Sequence, residues 1–373
     1  MLSPDKPRFL GPSPSQLHLA VAAAVDGDRD ALAAVFDDEH FAEWVRDNRM
    51  GSALFVAAQG LGIDGPAVER CDAIYLATAA QWMRLRAVLA QVGARLDAAD
   101  VPWIPLKGLD TAERFFPHPE LRLSSDLDVL VPIERLEPAM EALSATGWDF
   151  RSTPLLAAYQ RDEGYNWQAR GPHGDSLELH YRLWGMAPSS LVEACWSSAV
   201  AAPDLGQRAF RIAPPMAFLV SAVHSWIHAG RPQFIYWWEM KLIADRLGGP
   251  DEVAAVAREH SLQFPVGVAA EYVGRLWDHE LCLELGRTLL ADIRLSERAA
   301  LGRVRRRGID SMTLELLYIA RLLGRRPSRM GWRSVFRRVW PHPGILEDTT
   351  PADVAWWRRR VLAAGRNLGL IKD

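Results

Sequence analysis

Several things are scarce in this sequence, and each scarcity excludes something. Cysteine occurs three times, at Cys71, Cys195 and Cys282. The three are far apart and odd in number, which argues against a disulfide framework or a zinc site and suits a reducing compartment. Long apolar runs are missing too. The longest, such as residues 19–25, fall far short of the ~20 residues that cross a bilayer. The opening MLSPDKPRFLGPSPSQ is proline-rich and lacks the apolar core of a secretory signal. A cytoplasmic protein without a membrane partner is therefore expected. Charge of one sign is not in excess: the formal net charge is −3, too small to advertise a nucleic-acid or acidic-substrate partner through a global field. Internal repeats and low-complexity tracts are also missing.

What is present is apolar bulk. About half of the 373 residues are apolar and 15 are tryptophan, enough for a substantial core and for two or more packed domains. Residues 1–15 read as a flexible lead-in. Residues 16–99 read as helical, with polar breaks at Asp26-Gly27-Asp28 and Asp37-Asp38-Glu39. Pro66 stands where a first helical turn begins, and a helix of some thirty residues follows it to about Asp100. Residues 100–187 alternate: strand, helix, strand, a helix over about 132–146, a short strand at 148–150, and a hairpin over 167–170 and 177–183. That order predicts an α+β fold, a small mixed sheet with helices packed on it. Beyond residue 188 strand signals fade, and residues 216–228, 237–247, 251–260, 266–285 and 309–323 show helical periodicity, a helical C-terminal domain. From Arg303 onward there are sixteen Lys/Arg against six Asp/Glu, with Trp332, Trp340, Trp356 and Trp357 interspersed. Cations beside stacking aromatics can bind nucleic acid, but arginine stems also cover apolar helix surface with the charge left wet, and the second is the favoured reading.

The chemistry gathers in residues 101–132, VPWIPLKGLDTAERFFPHPELRLSSDLDVLVP. In its second strand Leu127, Val129 and Val131 alternate with Asp126, Asp128 and Leu130, so both aspartates share one face. Two carboxylates together hold a divalent cation well; the plainer reading is a solvated acidic edge. Lys107-Gly108 adds a turn that lets the chain approach a phosphate and a point charge beside it, and Arg122 can fork onto phosphate oxygens; the plainer readings are a lysine paired with one of these carboxylates and an arginine bridging to Asp126. Ser125 could bond a phosphate or cap the turn. Glu178, on the later hairpin, faces away from its Leu set and supplies a third carboxylate that can orient or deprotonate a hydroxyl. These pieces suit metal-assisted nucleotidyl transfer. His180 shares the face of Glu178. His224 and His228 have ligand spacing on a helix but lack the glutamate of a zinc-protease motif. His180, His224 and Glu239 are assigned to a substrate pocket.

Lys107-Gly108, Arg122 and Ser124-Ser125-Asp126-Leu127-Asp128-Val129-Leu130-Val131, with Leu177-Glu178-Leu179-His180-Tyr181, resemble the signature of an uncharacterised bacterial nucleotidyltransferase family within the DNA polymerase β-like superfamily. The likeness extends over about residues 15–340. It implies that superfamily's small mixed sheet, with Asp126, Asp128 and Glu178 as catalytic carboxylates and metal ligands. It further implies Lys107, Gly108, Arg122 and Ser125 as the nucleotide-binding set, Mg²⁺ or alternatively Mn²⁺ as cofactor, and an NTP such as ATP as substrate. Gly108 is followed by Leu109, where the wider superfamily has Gly-Ser, and seventeen residues separate it from Asp126, more than is usual there. The expected activity is transfer of a nucleoside monophosphate to a small molecule, peptide or protein. The alternatives are a toxin-like or tRNA-directed transferase and a non-catalytic nucleotide-binding protein of the same fold.

Overall fold

A computed structural model describes residues 14–150, 157, 160, 164–183, 189–227, 233–293, 297, 298, 301 and 302. Residues 13–150 and 166–292 form one compact unit, and everything below lies within it. The basic, Trp-rich C-terminal segment, His228 and most of residues 1–15 and 151–165 fall outside the described residues.

Four helices open the unit: α1 (Gln16–Val25), α2 (Arg29–Phe36), α3 (Phe41–Asn48) and α4 (Gly51–Leu61). The two polar breaks end α1 and α2 as expected. Ser15 and Asp28 cap the first turns of α1 and α2, accepting from the backbone of His18 and Ala31 and so satisfying donors that a helix start leaves open. A third break, between α3 and α4, was not expected. There Arg49 takes a left-handed conformation at φ 57°, which a non-glycine residue adopts rarely. Helix α5 (Pro66–Ala98) is 33 residues long and starts at the proline, as predicted.

His18 ties this helical layer together. Its Nδ1 is 2.7 Å from the Tyr272 hydroxyl, and its ring packs against Trp44 and Phe234. Burial pushes the imidazole down to about 4, because a charged ring among aromatics loses its hydration. The unfolded chain takes up this proton near the ordinary value of about 6.5, while the native state takes it up only near 4. Stability is therefore expected to fall as pH drops from about 6.5 to about 4, by about 3 kcal/mol from this residue alone. In His18→Gln, urea unfolding at stepped pH should show that slope reduced by about one proton. An unchanged slope would place the acid sensitivity elsewhere.

After α5 come β1 (Ile104–Pro105), α6 (Leu109–Phe115), β2 (Leu127–Leu130), α7 (Leu136–Ser144), β3 (Asn166–Arg170) and β4 (Ser176–His180). The four strands form one sheet in the order β1-β2-β4-β3. β2 runs antiparallel to β1 and parallel to β4, and β3 and β4 form the expected hairpin. The sheet is thus mixed and the fold α+β, as the element order predicted. One face, with Leu127, Val129, Val131, Ala169, Leu177 and Leu179, packs on Leu85, Val88, Leu89, Val92 and Leu96 of α5 and on Ala139 and Leu143 of α7. Burying that face fixes the strand register, since a one-residue slip would turn the apolar set outward. The other face carries the polar residues.

Three local expectations are corrected. Residues 148–150 make a single bridge, Asp149 to Arg170, rather than a strand. A second, two-stranded sheet, β5 (Val200–Ala201) with β6 (Phe210–Arg211), lies where no strand was expected. Residues 266–285 are two helices, not one. Helices α8 (Ser189–Ser197), α9 (Pro214–Ile227), α10 (Phe234–Ala244) and α11 (Asp251–Glu259) are followed by α12 (Gln263–Trp277) and α13 (Glu280–Ala291). Asp278, left-handed at φ 49°, ends α12, and His279 accepts from the Cys282 amide to start α13. Among the described residues no helix is long and apolar enough to cross a membrane.

Candidate active site

Parallel pairing of β2 with β4 sets Leu127 opposite Leu177 and Asp128 opposite Glu178, with Gln168 of β3 completing the row. The next row on the same face holds Leu130, His180 and Asn166. Two carboxylates therefore become neighbours because their strands do, one coming from each. Glu178 is fixed in turn: Asn166 donates to its Oε2 at 2.8 Å and Gln168 to its Oε1 at 3.3 Å. Asp126 stands one residue before β2, half-buried, and accepts from Ser125 at 3.2 Å.

Lys107 reaches this row because the Leu106 amide donates to the Asp128 carbonyl, which places the next residue beside the aspartate. Its ammonium lies 3.2 Å from Asp128 Oδ1. Burial alone would lower the Lys107 ammonium, but Asp128, Glu178 and Asp126 outweigh it and hold it above its ordinary value. Asp128 behaves in the converse way. Its burial favours the neutral acid, yet Lys107 and the hydrogen bond from His180 hold it well below the usual carboxylate range. Asp126 is raised, first by burial and then by the Asp128 charge, with Lys107 opposing. His180 Nε2 lies 3.0 Å from Asp128 Oδ1 and 3.3 Å from Glu178 Oε2. Burial would lower its imidazole, but these two carboxylates raise it to about 9.

Gly108 turns the chain from Lys107 into α6 with φ +62°, a conformation that suits glycine. A Cβ there would stand 2.8 Å from Ser124 Oγ. That hydroxyl is buried and has no hydrogen-bond partner among the described residues. A bare backbone turn against an unsatisfied buried hydroxyl is a fitting cradle for a phosphate oxygen. The carboxylate side fits a cation: donor atoms of Asp128, Glu178 and His180 all lie within 4.8 Å of one another. Residues 34–278 match the family described as uncharacterised nucleotidyltransferase. The chain belongs to that family. No curated protein and no solved structure matches it. Membership implies a nucleotide substrate, and nucleotidyltransferases generally use divalent metals, which the buried Asp/Glu/His cluster could hold.

The structure sorts the residues singled out in the sequence into two groups. Lys107, Gly108, Asp126, Asp128, Glu178 and His180 converge on one face of the sheet. His224, on α9, joins them: its Nε2 is 3.3 Å from Lys107 Nζ, and its ring meets Tyr236 edge-on. Ser125 is exposed at the rim, while its neighbour Ser124, passed over in the sequence, faces the Gly108 turn. Only the alternation of side-chain direction within Ser124-Ser125 could have distinguished them.

Arg122 and Glu239 pair with each other instead. Arg122 Nε donates to Glu239 Oε2 at 2.7 Å, and the two are 4% and 1% exposed. Glu239 Oε2 also accepts from Thr111 at 2.9 Å, and its Oε1 accepts from Ser221 at 2.6 Å. Thr111 follows the Gly108 turn, Arg122 precedes Ser124–Asp126, and Ser221 sits one helical turn before His224. One buried carboxylate on α10 thus pins the three segments that deliver the phosphate turn, the aspartates and His224. The guanidinium gives its Nε to Glu239 and its Nη1 to the Leu123 carbonyl oxygen at 2.7 Å, so it ties the loop before Asp126 to α10.

Proposed function

We propose that this chain is a metal-dependent nucleotidyltransferase of the DNA polymerase β-like kind, moving a nucleoside monophosphate from an NTP to a hydroxyl or phosphate of a small molecule, peptide or protein. The observation that carries the reading is the in-register Asp128–Glu178 pair facing Lys107 and the Gly108–Ser124 cradle, in a chain of this family. In the reaction an acceptor oxygen bonds to the α-phosphorus. The bond from that phosphorus to the β-phosphate oxygen breaks, and pyrophosphate leaves with the electron pair.

Asp126, Asp128 and Glu178 are the proposed ligands of Mg²⁺, or alternatively Mn²⁺. When bound, such an ion neutralises phosphate charge and orients the attacking and leaving oxygens. Lys107 places a positive charge beside the triphosphate. The Gly108 turn and the Ser124 hydroxyl donate to phosphate oxygens, reducing water's access to them. Glu178, held by Asn166 and Gln168, orients the acceptor hydroxyl and takes its proton. His224 borders the acceptor side next to Lys107. Arg122 and Glu239 keep these parts in register rather than touching the nucleotide.

Calorimetry with ATP and Mg²⁺ tests the reading, followed by transfer of labelled NTP to components of a cell extract. The wild type is expected to bind nucleotide in a metal-dependent way and to label an acceptor, and Asp126→Ala/Asp128→Ala to lose both. Identical binding by the two proteins would sink the assignment.

A further inference from the structure

The His180 ring is held in one orientation from behind. Its Nδ1 lies 3.2 Å from the carbonyl oxygen of Arg182, an atom that only accepts, so Nδ1 carries a hydrogen and Nε2 is the nitrogen offered to the site. A backbone carbonyl behind the ring is the outer contact that metal-binding histidines usually have. Ahead of Nε2 stand Asp128 Oδ1 at 3.0 Å and Glu178 Oε2 at 3.3 Å. Bonds of about 2.1 Å meeting at right angles place neighbouring donors about 3 Å apart, so these two separations suit adjacent ligands on one six-coordinate ion as well as they suit the hydrogen bonds they make without it. The ring is 3% exposed and lies on the same sheet face as both carboxylates, with donor atoms of all three residues within 4.8 Å of one another.

We propose that His180 Nε2 is a metal ligand beside Asp128 and Glu178, and that this nitrogen makes the site favour a first-row divalent ion over Mg²⁺. The inference rests on the metal-dependent reading above and deepens it. All-oxygen sets suit Mg²⁺, whereas imidazole nitrogen raises affinity along the first transition row. A proton on Nε2 and an ion on Nε2 exclude each other, so binding at this nitrogen displaces the hydrogen shared with Asp128. The same residue then has two states, counter-ion to the carboxylates or their fellow ligand.

The test uses the full chain with Mn²⁺ alone as the probe. Pulsed electron paramagnetic resonance of the Mn²⁺-loaded protein should show nuclear modulation from a directly bound imidazole ¹⁴N, converting to ¹⁵N in protein grown on labelled histidine. His180→Gln should lose that modulation and bind Mn²⁺ about tenfold or more weakly, with a smaller loss for Mg²⁺ measured by competition. His224→Gln should keep the modulation. If His180→Gln does not fold, His180→Asn is the second variant, and the wild-type spectrum decides by itself if it lacks nitrogen coupling. Mn²⁺ binding without nitrogen coupling, or with coupling that survives loss of His180, overturns this inference and leaves metal-dependent transfer by the carboxylates standing. No Mn²⁺ binding by the wild type overturns both.

Discussion

Glu239→Leu should lower the free energy of unfolding by about 3–5 kcal/mol, because it leaves the Arg122 guanidinium buried without its counter-charge. Neither charge has solvent to fall back on: Arg122 is 4% and Glu239 1% exposed. The loss includes the acceptor of Thr111 and of Ser221, and hydroxyls stranded in a core add to the cost. Arg122→Met/Glu239→Leu should recover much of that stability, since removing both charges removes the desolvation penalty with the attraction. The double variant should still bind nucleotide poorly, because Thr111, the segment before Asp126 and Ser221 are no longer held to one carboxylate. Urea unfolding of the two single variants and the double, with nucleotide binding measured beside it, separates the two roles. Singles within 1 kcal/mol of wild type would show that the pair is not the fixed point described above.

That pair also shows what a sequence conceals. Read along the chain, Arg122 suits either a phosphate clamp or a structural bridge to Asp126, since an arginine precedes an aspartate pair. Its partner lies 117 residues away, and local spacing says nothing of which buried acid an arginine meets. The β2 alternation was readable because both faces of one strand are encoded by neighbours in sequence. The pairing of Asp128 with Glu178 was readable only in part. A hairpin could be inferred from β3 and β4, but the parallel register of β4 on β2 depends on the path through α7. That His180 shares a face with Glu178 is legible in the alternation of β4, but its 3.0 Å contact with Asp128 is not, because it depends on β4 lying beside β2. The division of residues 266–285 turns on one left-handed aspartate, a choice that helical periodicity does not record.

Asp128→Asn should reduce transfer by about a thousandfold or more, the equivalent of about 4 kcal/mol of transition-state stabilisation, with nucleotide binding weakened much less. The substitution keeps shape and removes one negative charge from the centre of the site, where Lys107 and His180 both contact Oδ1. An amide cannot replace a carboxylate as a strong ligand for a hard cation, so the loss should fall on turnover rather than on the phosphate contacts of Gly108 and Ser124. A second signature concerns pH. His180 is raised to about 9 by its carboxylates, against an ordinary value near 6.5. Its contribution to stability is therefore fully present below about 6.5 and lost as pH rises through about 9. In Asp128→Asn the principal partner of that imidazolium is gone, so stability should decline less steeply over the same alkaline range. Turnover measured at saturating nucleotide, together with urea unfolding at stepped pH, reads both effects on one variant. A flattened alkaline profile with transfer at the wild-type rate would leave Asp128 as the counter-ion of Lys107 and His180 and remove it from the chemistry.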